Sequence, residues 1–323
     1  MATYLEKLSK QLTEDSIQLN QDELDNFWRF IHERHKIWYQ RFVLGRPAPW
    51  TKDTILTEFK FTNVYRELDR GTAFLLDNIC EKGEPIDQVW NIIVYRMFNR
   101  ISTYEHLKWH SFERWSNPKF FRKYFDALRA FGEQGNPLYT DAHMVCAYEH
   151  FPGKDKLERF EYIFQGVISQ MDTLMRIINK AKSLETVHKA LTRFPGIGPF
   201  LGYEMAVDIS YCSWNNLGED EWVNPGPGCQ RGLKAIFPGV KSDKDCQWLI
   251  KVLRQIQKKE WLRLKLPFDG IAYQGKELTL RNVEHCLCEY FKYWKAKNGK
   301  GRPRNRFSPQ TKTGTDNFQR LKG

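Results

Sequence analysis

A chain of 323 residues, 28% charged and 41% hydrophobic, has the composition of a globular protein large enough to bury a substantial core. Its formal charge of +11 directs attention to a polyanionic partner, nucleic acid above all. No apolar run approaches the roughly 18 residues that a membrane helix needs, and the opening "MATYLEKLSKQLTEDS" is too polar for a signal peptide, so a cytoplasmic protein without a membrane partner is expected. The seven cysteines include no CxxC pair and no zinc or iron–sulfur spacing, which fits reduced, structural thiols and no metal ligands among them.

In chain order, residues 1–20 read as an N-terminal extension. Apolar positions three or four apart predict a helix over 22–44, ended by "GRPAPW" with Pro47 and Pro49. A second helix is predicted over 54–79, with Phe61, Val64, Leu68, Leu75 and Ile79 as its apolar stripe. Further helices are predicted near 86–101, 118–132, 157–179 and 183–193. The run "YCSWNNLGEDEWVNPGPGCQRGLKAIFPG" reads as irregular, followed by helices near 242–258 and 278–296. Strand alternation is scarce and no βαβ rhythm occurs. The expectation is an all-α protein with one helical domain over 21–297. A flexible basic tail is expected over 298–323, since ten Lys or Arg and only Asp316 among acids follow Phe291. Aromatic residues make up 15% of the chain; most are expected in the core, leaving a few that could stack on bases.

"FPGIGPFLGYEMAVDIS", residues 194–210, has the form of a helix-hairpin-helix, here about 185–210. The glycines let the turn approach closely, and its N–H groups with the next helix N-terminus point at a DNA phosphate. Pro195, Gly196, Ile197 and Gly198 are therefore DNA-binding candidates, together with Lys300, Arg302, Arg304 and Arg306 of the tail. An ordinary turn between packed helices is the competing reading. Base-excision glycosylases carry such a hairpin in an all-α body, with Val-Asp and then Arg in a later loop. The corresponding loop here is "WVNPGPGCQRGL", and the Asp position falls on Gly226 or Asn224. Without that carboxylate the main electrostatic device of base excision is missing. The hairpin also lacks the lysine nucleophile of the bifunctional enzymes. A divergent glycosylase using Asp208 or Asp220 remains an alternative.

A second dense patch is "EFKFTNVYRELDRGTAF", residues 58–74. On a helix, Asn63, Arg66 and Arg70 share one face at i, i+3 and i+7, with Glu67 and Asp69 beside them. Two guanidinium forks a turn apart suit a multi-oxygen anion. A surface stripe of ion pairs accounts for the same pattern. Arg96, Asn99 and Arg100 form a second such face. Glu204 and Asp208, an i,i+4 pair behind the hairpin, suit a general base, a metal or a cationic amine, and equally a solvated surface. His285, four before Glu289, reads first as a structural histidine.

These segments, with "NPGPGCQRGL" and "EHCLCEYFKYWKAKNGKGRPRNRF", resemble the bacteriophage alpha-glutamyl/putrescinyl thymine pyrophosphorylases, or amino acid:DNA transferases. That family is related to the helical domain found with 5-hydroxymethyluracil DNA kinases. The resemblance covers roughly residues 22–308. It implies an enzyme that displaces pyrophosphate from 5-(pyrophosphoryloxymethyl)uracil in double-stranded DNA with the amine of a free amino acid or polyamine, after a kinase has installed the pyrophosphate. Arg66, Arg70 and Arg231, with Lys60 in reserve, would stabilise the leaving group. Asp208 or Glu204 would take the amine proton, and the base would be flipped out. Asn63, Tyr65, Asp69, Arg96, Asn99, Asn224, Gly226 and Gly228 are the substrate-binding expectations, "NPGPG" serving as a close-approach loop. No cofactor is certain, and magnesium is compatible with pyrophosphate chemistry. The chain has no GxxxxGK[ST], so it is not itself a P-loop kinase, although a non-catalytic module assisting such a kinase is an alternative.

Overall fold

The structure is a computed structural model that describes Leu12 and residues 16–140 and 151–307; most of the predicted N-terminal extension and the tail beyond Phe307 lie outside the described residues. The described chain is all-α. Its helices are α1 Gln21–Trp38, α2 Thr54–Glu58, α3 Arg70–Asn78, α4 Pro85–Phe98, α5 Ile101–Leu107, α6 Phe112–Ser116, α7 Pro118–Glu133, α8 Lys156–Ile168, α9 Met171–Lys180, α10 Leu184–Leu191, α11 Pro199–Ser210, α12 Pro227–Ile236, α13 Asp243–Arg263 and α14 Leu280–Lys297. Among the described residues no β-strand forms, and extended pairing is limited to one isolated antiparallel bridge between Phe59 and Arg306.

Where the sequence suggested one helical domain over 21–297, the chain divides into two compact units: residues 1–69 with 223–323, and residues 70–222. The first unit packs α1, α12, α13 and α14 around large rings. Trp28 meets Trp261 edge-on at 4.7 Å, and Trp261 stacks on Phe268 at 4.4 Å. α12 packs closely on α14. A Cβ at Gly232 would lie 2.3 Å from the Leu287 carbonyl oxygen, and one at Gly228 would lie 2.4 Å from Cys288 Sγ. Only glycine permits that approach. The second unit is centred on α4 and α11, both buried around most of their circumference, with Trp90, Trp115 and Phe164 interlocked edge-to-face beside α4. The rings are thus mostly core, as expected from their number.

Four predicted helices are altered in ways the local chemistry explains. The helix predicted over 22–44 leaves α-geometry at Trp38 and ends in a π-helical turn, Tyr39–Val43. The one predicted over 54–79 is broken: after α2 the chain runs extended, makes a 3₁₀ turn at Arg66–Leu68, and restarts as α3. Side chains claim the backbone there, which removes the incentive for i→i−4 bonds. Asp69 Oδ1 accepts from the Asn63 N–H, Glu289 Oε2 from the Thr62 N–H, and Arg34 donates to the Phe61 carbonyl. Asn99, left-handed at φ 50°, ends α4 ahead of α5, and the predicted 157–179 helix is two, α8 and α9. Conversely, α12 forms inside the stretch read as irregular, its first turn opened by Pro227.

Two stability predictions follow from this packing. Gly232→Ala should lower unfolding free energy by about 1–3 kcal/mol in urea titration, because a rigid backbone carbonyl must move. His35 gives the other. It lies buried against Trp38, its Nε2–H donating to the Ile271 carbonyl at 2.6 Å, and burial pulls the imidazole down to about 3. Between its ordinary value of 6.5 and about 3, the unfolded chain takes a proton that the native chain refuses. Stability contributed by neutral His35 is therefore present above pH 6.5 and is lost on acidification, at about 1.4 kcal/mol per pH unit. Subtracting the His35→Phe denaturation curve from wild type across that window should isolate this slope.

Candidate functional site

The first unit contains a polar cluster built from three segments. The 61–69 connection, an extended run followed by the 3₁₀ turn, supplies Thr62, Asn63, Arg66 and Asp69; α1 supplies Arg34; and α14 supplies His285 and Glu289. Asp69 is its centre. One carboxylate oxygen accepts the Asn63 N–H at 2.8 Å, while the other lies 3.2 Å from Arg66 Nη1 and 3.7 Å from His285 Nε2. Burial raises the Asp69 carboxyl above its ordinary value, against the pull of Arg66, the Asn63 N–H and Arg34, and with Glu289 adding to the rise.

The same His285 Nε2 lies 2.6 Å from Thr62 Oγ1. A hydroxyl and an imidazole at that distance exchange a proton readily: neutral Nε2 accepts from the hydroxyl, and protonated Nε2 donates to it. Thr62 is half-buried and His285 is 9% exposed. Arg34 Nη2 donates to Asn63 Oδ1 at 2.8 Å, and Asn63 Nδ2 donates to the Leu68 carbonyl at 2.6 Å, which fixes the loop. Two arginines, a carboxyl with a shifted pKa and a hydroxyl–imidazole contact thus converge at partial exposure. A carboxyl shifted by burial beside specific charge partners is the mark of a candidate functional site.

Several predicted residues fall elsewhere. Asn63 and Asp69 are in the cluster, and Arg66 joins them from a 3₁₀ turn rather than a helical stripe. Arg70 begins α3 of the second unit, exposed, so the predicted Asn63–Arg66–Arg70 face does not exist. Tyr65 is a core residue whose hydroxyl donates to the Lys276 carbonyl, and burial raises its pKa. Lys60 is exposed at the Phe59–Arg306 bridge, its N–H donating to the Asn305 carbonyl. The "NPGPG" glycines serve packing: Gly226 caps α12, its N–H donating to Glu284 Oε1, and Gly228 meets Cys288. Asn224 precedes them, half-buried. Arg231 is exposed on α12 with its guanidinium 5.8 Å over the Phe291 ring. Burial pushes the Cys286 thiol well up and Cys288 to about 12, so neither is a thiolate at neutral pH.

The second unit holds the other predicted groups. Arg96 and Asp208 are at most 2% exposed and form a two-pronged pair, Nε to Oδ2 and Nη2 to Oδ1 at 2.7 Å. Arg96 Nη1 also donates to Asn99 Oδ1 at 3.1 Å. Burial by itself would lower the Arg96 guanidinium, but Asp208 and then Glu204 push it above its ordinary value. Glu204 is buried one turn earlier on α11. Asp208 is therefore committed to a cation and is not an available base, and Arg96 and Asn99 are not an open anion face. The reason is that the α4 and α11 faces predicted as solvent-facing point into the unit's core. Between α10 and α11 the chain makes a short turn in which Gly196, at φ +90°, closes over Ile163; Pro195 is exposed and Gly198 half-buried, but Ile197, expected to face DNA, is buried in the core. Among the described residues, no group of three or more His, Cys, Asp or Glu is arranged to hold a metal, and no helix is long and apolar enough to cross a membrane.

Sequence reasoning passed over Arg34 and Thr62, which nothing in local spacing connects to Asp69. It weighed His285 as structural, although its i,i+4 relation to Glu289 was the available signal.

Asp208→Ala should cost about 3–5 kcal/mol in urea denaturation because it strands a buried cation, whereas the double change Arg96→Met with Asp208→Leu should cost less.

Comparison with known proteins gives two matches. Residues 21–302 match the family model described as 5-hmdU DNA kinase, helical domain. A 5-hmdU DNA kinase of Bacillus phage SP10 is 29% identical across 88% of this chain and 48% of its own length, so the chain spans about half of that relative. No solved structure matches.

Proposed function

The chain belongs to the family of 5-hmdU DNA kinase helical domains, and from that premise we propose that it is a DNA base-modifying transferase. Its substrate is 5-(pyrophosphoryloxymethyl)uracil in double-stranded DNA, and it replaces pyrophosphate with the amine of a free amino acid or polyamine. The observation that carries the reading is the Asp69-centred cluster, which joins two arginines to a hydroxyl–imidazole pair. The phage relative is a 5-hmdU DNA kinase, which supports a role in the same kind of DNA modification.

In the proposed reaction the amine nitrogen bonds to the exocyclic methylene carbon. The carbon–oxygen bond breaks, and pyrophosphate leaves with the electron pair. Arg66 and Arg34 face the charge that grows on it, in a setting where fixed donors are worth far more than in water. The proton released by the amine passes to His285 Nε2, directly or through Thr62 Oγ1. Asp69 and Glu289 hold the resulting imidazolium. This assigns to His285 the role that Asp208 and Glu204 were expected to fill. The base must leave the stack to reach any buried group.

A second reading has its own support: the match is to a helical domain accounting for about half of a longer kinase. On that reading the chain presents DNA to a separate kinase.

The test incubates DNA carrying the pyrophosphorylated base with the protein and a pool of amino acids and polyamines, followed by nucleoside mass analysis. An amine-adducted nucleoside with stoichiometric pyrophosphate release is expected. His285→Gln should lower kcat by about 10²–10⁴-fold with an unchanged melting temperature. Thr62→Val should fall short of wild type while Thr62→Ser recovers most of the rate. Unchanged nucleoside on bound DNA would move the assignment to the accessory reading, and abasic sites would move it to base excision.

A further inference from the structure

The positive charge is unevenly shared. The first unit has 32 Lys and Arg against 19 Asp and Glu, while the hairpin-bearing second unit has 18 against 20. The hairpin thus sits on a weakly acidic body, and the electrostatic attraction for a polyanion belongs to the other unit.

That excess is concentrated along a continuous path. α14 carries His285 and Glu289 in its first half, and Phe291, Trp294 and Lys295 in its second. Phe291 and Trp294 are half-buried and stacked, 6.0 Å apart with planes at 17°. Their rings hold cations in place: Lys295 Nζ lies 5.2 Å from the Phe291 centroid, beside Arg231, and Lys300 Nζ lies 4.5 Å from that of Trp294. The chain then continues through exposed Arg302 and Arg304. Instead of trailing away as the flexible tail expected from 298 onward, it returns to the body. Asn305 accepts from the Lys60 N–H at 2.9 Å, Phe307 donates to the Glu58 carbonyl at 2.8 Å, and Arg306, bridged to Phe59, pairs with Glu58 at 3.4 Å. The path therefore ends at exposed Lys60, two residues before Thr62.

We infer that this track is the principal binding surface for a DNA strand, and that it leads the phosphodiester backbone to the Asp69 cluster. Between Phe291 and Phe307 there are seven Lys or Arg and no acid, a run of cations able to neutralise successive phosphates and release their counterions. Ring contacts limit the freedom of the ammonium groups, so less entropy is lost when they meet phosphate. The inference rests on the reading of the chain as a DNA-modifying protein, though not on amine transfer.

The test is fluorescence anisotropy of the full chain on labelled duplex and single-stranded DNA across a salt series. The track variant is Lys295→Gln, Lys300→Gln and Arg302→Gln together. The control removes equal charge from the exposed hairpin side of the second unit: Lys182→Gln, Lys189→Gln and Arg193→Gln. Log affinity against log salt should flatten by about 2–3 for the track variant on duplex DNA, and affinity should fall roughly tenfold or more, with the control close to wild type. A greater loss on single strands would identify an opened strand as the occupant, and an equal or greater loss on duplex would identify the helix backbone. All six sites are exposed or half-exposed, so melting temperatures should be unchanged. A track variant with the wild-type slope, or a control that loses as much, would overturn the inference. Absence of salt-dependent binding by the wild type would instead remove the DNA reading beneath it.

Discussion

A carboxylate taken out of water must be met by donors, and the way Asp69 is met organises the region on which the functional account rests. Its demand for partners takes the Asn63 N–H and the Arg66 guanidinium and places an oxygen near His285. Those bonds hold residues 61–69 in an extended run and a 3₁₀ turn when their apolar spacing would have allowed one α-helix. The same geometry sets the Thr62 hydroxyl against the imidazole Nε2. Were the 54–79 stretch one helix, Arg66 would point along a surface stripe and no cluster would form.

The second unit meets the same physical problem in the opposite way. Asp208 and Arg96 satisfy one another almost fully, and Asn99 takes a further guanidinium donor. A pair this closed costs desolvation that its own attraction must offset, and it has little to offer a substrate. Around Asp69 the partners are more numerous and individually weaker, burial is incomplete, and the carboxyl is shifted upward. That difference separates a group that specifies packing from one able to respond to a ligand's charge.

Much of the fold was legible in the sequence. The apolar periodicity located α7, α10, α13 and α14 to within a few residues, and glycine with proline marked the turn between α10 and α11. What stayed illegible depends on contacts remote in sequence. Residues 61–63 are held by Arg34, Asp69 and Glu289, and the last of these is 227 residues from the N–H it accepts. Helical spacing also misread direction. Arg96 and Asp208 had the i,i+4 neighbours of surface charges, yet α4 and α11 are buried on almost every face, so polar residues there find each other instead of water. "NPGPG" was misread for a related reason: its glycines bring α12 onto α14, a need visible only once both helices are in hand.

The central claim is that the modified base meets the Asp69 cluster of the first unit, brought there by a basic track that the hairpin does not supply. The most direct measurement is photocrosslinking of the full chain to duplex DNA carrying 5-iodouracil at the target position, with the adduct mapped by peptide mass spectrometry. Crosslinks within residues 60–69 or on α14 near His285 are predicted. Crosslinks confined to the α10–α11 hairpin and the Glu204–Asp208 stretch, with none in the first unit, would contradict it.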